Sequence, residues 1–186
     1  MLNRDDFTWD EFFWKSQIEL PEWAGYLGRS YHDRRTAGAE RSDGTVDLVF
    51  APEGREDGPL EDHELRLMQW FVDHHEEVSQ VALERILASY DTLRDGYGHA
   101  EQEQAALAPD ISCLDDLRPL VGLHAVDVHN VDLNGIPYIG LEFVCTWDDE
   151  HGVGLMMNGT RVVDIGGADT AILRWIAKRD AGAATS

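Results

Sequence analysis

Five consecutive residues, Asp148-Asp149-Glu150-His151-Gly152, put three carboxylates and an imidazole into one short stretch of a chain of 186 residues. Carboxylate oxygen with imidazole nitrogen suits Mn, Fe or Zn, and Asp164, Asp169 or His75 are the residues that would complete a set built on Asp148, Glu150 and His151. A metal-dependent hydrolase centred here is therefore one reading. Cys145 as nucleophile, His151 as base and Asp148 or Asp169 as orienter also have the right residue types for covalent catalysis. A third reading needs no chemistry. Asp148 would accept backbone N–H bonds across a turn, Glu150 would cap a neighbouring element, and His151 would hold the loop by a hydrogen bond. The third is favoured, because the chain lacks the H-x-x-x-H and H-E-x-x-H spacings and consecutive residues of a tight loop rarely converge on one ion. Cys145 falls on an apolar face, where a thiol lacks the exposed, positive surroundings that activate it.

Other candidates weaken on the same kind of argument. His74-His75 lies on a helical pattern, where a histidine is more often a satisfied packing residue than a ligand. Gly166-Gly167 ahead of a helix could form an anion site, but Asp164 and Asp169 flank it with negative charge, so a left-handed turn with Asp169 capping the helix is simpler. No Walker or dinucleotide fingerprint is present, and no cofactor is expected.

The elements that must position the loop are legible around it. Ile139, Leu141, Phe143, Cys145 and Trp147 recur at every second position and predict a strand with one core face. Asn158-Gly159 between two apolar arms predicts a type I′ hairpin, and Asn134-Gly135 predicts another. Together these give a four-strand antiparallel meander over residues 122–133, 136–147, 153–157 and 160–165. Ala168 to Arg179 then carries Ile172, Leu173, Trp175 and Ile176 at helical spacing and closes the chain, with residues 180–186 as a fraying tail. Upstream, Trp14 to Leu20 and Thr45 to Phe50 alternate as strands, Asp6 to Phe13 could form a short helix, and the polar residues 28–44 read as a loop. Pro52 to Pro59 ends the second strand. Leu60 to Arg94 has apolar residues three and four apart, with a break at His74-His75 giving a helical pair and Gly96 as C-cap. Residues 97–110 form a polar connection. Ser112 caps a short helix over Cys113 to Leu117, closed by Pro119. The predicted fold class is α+β: a single antiparallel sheet with the helical pair and the closing helix packed on one face. One domain, residues 1–186, is expected, comprising N-terminal aromatic strands and loop (1–55), the helical pair (60–95) and the meander with its helix (120–180).

Charge narrows the partners. The chain holds 36 Asp plus Glu against 15 Lys plus Arg, a formal net charge of -21. Such a field repels phosphate backbones and anionic lipid, so neither nucleic acid nor a membrane surface is an expected partner. A protein with a basic surface is, and the charge would speed their encounter. Solubility or a saline habitat would account for the same charge. No apolar run is long enough to span a bilayer and the first residues lack the apolar core of a signal peptide, so a cytoplasmic location with both cysteines reduced is expected.

The C-terminal half carries F-x-C-x-W-D-x-E-H-G-V-G at Phe143, Cys145, Trp147, Asp148, Glu150, His151, Gly152 and Gly154. It continues with Arg161, Val162, Val163, Gly166, Ala168 and Asp169. This run resembles the signature of a family of small bacterial domains of unknown function, and Trp147, Asp148, Glu150, His151 and Gly152 form its characteristic loop. The resemblance implies a kinship with immunity-type proteins of bacterial toxin systems, which bind a toxin stoichiometrically and do not turn over a substrate. Read with the charge, it makes a non-enzymatic acidic binding protein the leading expectation, a basic bacterial toxin its partner, and Glu61, Asp62, Asp73, Glu76 and Glu77 on the outer helical faces the candidate contacts.

Overall fold

The computed structural model describes residues 1–28, 40–52, 58–95, 107–148 and 150–184. The expectations for most of the 28–44 loop, the core of the Pro52 to Pro59 segment, the Gly96 cap, residues 97–106 and Asp149 lie outside these. One seven-stranded sheet organises the chain: β1 (Thr8–Asp10), β2 (Phe13–Glu19), β3 (Thr45–Phe50), β4 (Val121–Leu133), β5 (Ile136–Cys145), β6 (Val153–Asn158) and β7 (Arg161–Gly166), paired in that order. The α+β class, the C-terminal meander and the closing helix are as expected. The sheet is not wholly antiparallel, however. β3 and β4 run parallel, with Asp47 opposite Ala125 and Val49 opposite Asp127, because a long helix carries the chain from one end of β3 back to the start of β4.

That helix, α1 (Asp62–Asp95), is one continuous rod of 34 residues where a broken pair was expected. Nothing at His74-His75 forces a break. Phe71, Val78 and Ala82 keep the buried stripe in phase, His74 stacks on Trp70 at 4.1 Å and donates from Nδ1 to the Trp70 carbonyl at 2.7 Å, and His75 Nδ1 meets Glu22 Oε1 at 2.9 Å. Leu67, Met68, Phe71, Val78, Ala82, Ile86 and Tyr90 press onto a core that includes Val126, Ile139, Leu141, Phe143, Cys145 and Trp147. Each fully buried apolar side chain of this size contributes about 1.5–3 kcal/mol.

The helical expectation for residues 6–13 fails. Those residues form most of a tight hairpin between β1 and β2, turned by Glu11 at φ 49°. The short helix α2 (Leu114–Leu117) starts one residue later than expected. Cys113 is its N-cap, and Asp116 Oδ2 accepts from the Ser112 and Cys113 amides at 2.8 and 3.1 Å.

The Asn134-Gly135 turn has both residues at positive φ, 56° and 81°, as a type I′ turn requires. The second hairpin sits one residue further on than expected. Asn158 stays in β6 opposite Arg161, and Gly159 at φ 57° takes the first turn position. The Asn158 amide is occupied elsewhere, donating to the Ile136 and Pro137 carbonyls at 2.9 and 3.3 Å.

The closing helix divides at Leu173 into α3 (Asp169–Ile172) and α4 (Arg174–Ala184). It also does not share a face with α1. Successive residues of a strand point to opposite faces, and Ile139, Leu155 and Met157 pack with α1 while Tyr138 and Met156 pack with Ile176 and Ala177 of α4. The two apolar sets in β6 left a second face to be covered, and Gly140 opens it to a near-touch: a Cβ there would lie 1.9 Å from the Ala171 carbonyl oxygen. Tyr138 Oη to Asp180 Oδ2 at 2.6 Å and the Arg161–Asp180 ion pair pin α4 down. Among the described residues no helix is long and apolar enough to cross a membrane.

Candidate functional site

The signature loop is a corner built by backbone packing. Trp147 at its start is buried against the Tyr90 ring, edge to face at 5.0 Å. Asp148 is buried too, and its Oδ1 accepts from the amides of Glu150 at 3.2 Å and His151 at 2.9 Å, with His151 Nδ1 at 3.3 Å. The aspartate thus holds its own turn, as in an Asx turn. Gly152 has φ 61° and a Cβ there would stand 2.4 Å from the Phe143 carbonyl oxygen. At Gly154 a Cβ would meet the Gly167 and Ala168 carbonyl oxygens at 2.5 and 2.6 Å, and the Ala168 amide donates to the His151 carbonyl at 2.8 Å. The two halves of the signature are therefore one contact. Gly166 and Gly167 are not in the left-handed region and Asp169 makes no capping bond, against expectation; Gly166 is required by the Thr170 hydroxyl, 2.6 Å from where its Cβ would be.

The corner gathers few groups for chemistry. Glu150 and His151 are exposed while the Asp148 carboxylate is turned inward, so the three do not converge. His75 lies on α1 with Glu22 as partner, and Asp164 faces Arg179 at 3.8 Å. Cys145 is fully buried and its thiol donates to the Asp148 carbonyl at 3.4 Å. Among the described residues no three His, Cys, Asp or Glu side chains stand close enough to hold a metal ion.

The candidate acidic contacts fall elsewhere, on α1 and its entry. Glu61, Asp62, Asp73, Glu76 and Glu77 are all exposed. At about 100° per residue, Asp62, Asp73, Glu76 and Glu77 occupy one stripe, and the exposed Glu84, Asp91 and Asp95 extend it to the end of the helix. The stripe runs about 50 Å at 1.5 Å per residue. Asp62 is paired with Arg4, Glu61 with His63 and Asp91 with Arg94.

A second cluster went unread in the sequence. Between strands β2–β5 and the α3–α4 junction lies a cleft of about 350 Å³, lined among others by Phe13, Val49, Ala125 and Ile172 as apolar walls. Its polar groups come from every bordering element: Lys15, Asp47, His124, Asp127, His129, Glu142 and Arg174. The sheet register explains the meeting. Ala125 is opposite Glu142 and Asp127 opposite Gly140, so Asp127 and Glu142 are diagonal neighbours on one face. His124 is the extra residue of a bulge between Leu123 and Ala125, which re-aims it towards the same space.

Burial, and then the hydrogen bond and charge of Glu142, hold the Asp127 carboxyl well above the usual carboxylate range. Burial likewise pushes His129 down to about 4, although its Nε2–H donates to the Ala171 carbonyl at 2.8 Å. Asp127 Oδ2 and His124 Nδ1 are buried with no hydrogen-bond partner among the described residues. The signal available in the sequence was that Asp127 and Glu142 share a strand face with Tyr138, Gly140 and Met156, which a closing helix must cover.

A family model described as Domain of unknown function (DUF6985) matches residues 28–173. No curated protein matches the chain, and no solved structure does.

Proposed function

The chain belongs to the DUF6985 family of domains of unknown function, and we propose that it acts by stoichiometric binding of a basic protein, as an immunity-type inhibitor of a cationic bacterial toxin. One observation carries this reading: seven exposed carboxylates aligned along a single rigid helix, on the face that the sheet leaves to solvent. An unbroken helix keeps those charges in fixed register, so a partner with matching Lys and Arg meets them without ordering a loop first. Electrostatic complementarity of this kind sets encounter rate and partner choice more than it sets final affinity. The net charge of -21 adds a long-range pull on any basic surface. The family signature supports the reading from the other side, since Asp148 Oδ1 and the Cys145 thiol are engaged within the corner and the Asp148, Glu150 and His151 side chains do not converge. The alternative, a metal-dependent hydrolase at Asp148, Glu150 and His151, would require the buried Asp148 carboxylate to abandon two backbone amides and turn outwards.

The test is titration calorimetry against the product of the neighbouring gene. Saturable one-to-one binding that weakens steeply with salt is expected, and a D73K/E76K/E77K triple variant weakens it at least about tenfold with a shallower salt dependence. Absence of heat and of co-elution at low salt would remove the proposal.

A further inference from the structure

We propose that the cleft between β2–β5 and the α3–α4 junction binds the cationic end of a small organic molecule, a primary ammonium or guanidinium group on a short apolar stem, with Asp127 and Glu142 as its acceptors. This site lies on the other side of the sheet from the acidic stripe and does not rest on the toxin-binding reading.

The donor and acceptor inventory of the cleft selects the ligand. Its two cations are engaged: Lys15 Nζ meets Asp47 Oδ2 at 3.0 Å, and Arg174 Nη2 donates to the Asn130 carbonyl at 2.9 Å. His129 uses its Nε2–H on Ala171. The carboxyl oxygen of the cleft that lacks a partner among the described residues is the buried Asp127 Oδ2, beside a second carboxyl on Glu142; the Arg174 Nε–H and His124 Nδ1 border the same space. A buried acceptor without a donor is costly, on the order of 1–3 kcal/mol, and Asp127 lines a cleft that a donor can enter. An anion would meet two carboxyl groups and gain no unengaged cation. A metal ion is disfavoured by the lack of three converging ligand side chains among the described residues. An ammonium or guanidinium supplies several N–H donors and a charge, and the Phe13, Val49, Ala125 and Ile172 walls accept a stem of a few carbons. The volume lies at the lower end of small-molecule sites.

Binding is linked to protons. In the empty cleft Asp127 keeps its proton well above the usual carboxylate range. A cation beside it favours the carboxylate, so the ligand enters, the Asp127 O–H bond breaks and the proton passes to solvent. Affinity therefore rises with pH up to the raised Asp127 value and is flat above it, until the amine itself loses its proton near about pH 10. The other groups facing Asp127 and Glu142 are Lys15, Asp47, His124, His129 and Arg174; His129, protonated only below its folded value of about 4, then repels the ligand and acts in the same direction.

Two chemical sources share this head group, a free amine or guanidine and a Lys or Arg side chain of another protein. Calorimetry with butylamine, butylguanidine and Nα-acetyl-lysine amide, with butanol and butyrate as controls, separates them. Saturable binding of the cations at about 10 mM or tighter is expected. It should come with heats that differ between phosphate and Tris by one released proton. Both E142Q and D127N, checked for an unchanged thermal transition or a higher one, should weaken it about tenfold or more. Tighter binding of butylamine than of the lysine amide points to a free amine, and the reverse order to a side chain. Butanol binding as well as butylamine, equal affinity in E142Q, or no saturable heat from any cation would overturn the proposal.

Discussion

The signature corner and the cleft differ in how their polar atoms are used. At the corner, Asp148 Oδ1 serves two amides and an imidazole while its Oδ2 is buried without a hydrogen-bond partner among the described residues, the Cys145 thiol serves a carbonyl, and the glycines bring backbone against backbone. In the cleft, residues from four strands and two helices meet across a void and leave a carboxyl oxygen and an imidazole nitrogen unserved. A motif that is dense in ligand-type residues can thus be framework, while groups scattered along the chain assemble the place with chemical potential left in it. Satisfied polar groups rigidify and unsatisfied ones cost stability; Asp148 Oδ2 and Asp127 Oδ2 both lack a partner among the described residues, but only Asp127 lines the cleft.

The largest effect belongs to the corner. G154A should lower the unfolding free energy by about 3 kcal/mol or more, since the new methyl meets two backbone carbonyl oxygens and no flexible side chain that could move aside. Urea denaturation measures it, and a loss below about 1 kcal/mol would mean the corner is looser than the contacts imply.

The next effect is in the cleft and depends on pH. His129 has a folded value of about 4 against 6.5 when unfolded, so the folded state binds fewer protons between the two. Stability is full above about pH 6.5 and falls as pH drops towards 4, by up to about 3 kcal/mol. Urea midpoints across pH 4–7 should show the decline, and H129N should flatten it.

The smallest effect has the opposite sign. Because the Asp127 value is raised on folding, its protonated form is the one the fold tolerates, and stability drawn from it is lost as pH climbs through that value. D127N fixes the neutral form and should raise Tm at pH 8 more than at pH 5. A lowered Tm at both pH values would show that the carboxyl is structural and would blur the contrast between the two regions.

Much of the fold was legible because local rules decided it. Thr45–Phe50 alternates and is a strand as read, and Asn134-Gly135 makes the turn that its tolerance of positive φ requires. What the sequence concealed was set by distant contacts. The His74-His75 break did not occur because Trp70 and Glu22 satisfy the two rings in place. The parallel β3–β4 pairing depends on where α1 returns the chain, which no local pattern encodes. Of the closing-helix residues expected to pack, Ile176 is buried while Ile172 and Trp175 are exposed, because the helix divides at Leu173, and no local pattern showed that Gly140 would bring Ala171 onto the second face. The corner was read as framework from its turn chemistry alone. The cleft was not readable, since Asp127 and Glu142 are neighbours only through a register that a bulge at His124 shifts.

The parallel ladder between β3 and β4 also governs the order of assembly. Asp47 finds Ala125 across 125 − 47 = 78 positions, whereas the meander strands are joined by short local reversals. Loop-closure entropy therefore weighs most on this one seam, and it delays the joining of the N-terminal strands to a C-terminal half whose contacts are nearby in sequence. Lys15 and Asp47 stand on one side of the seam, Asp127 and Glu142 on the other, so the walls of the cleft come together only when this long-range seam closes.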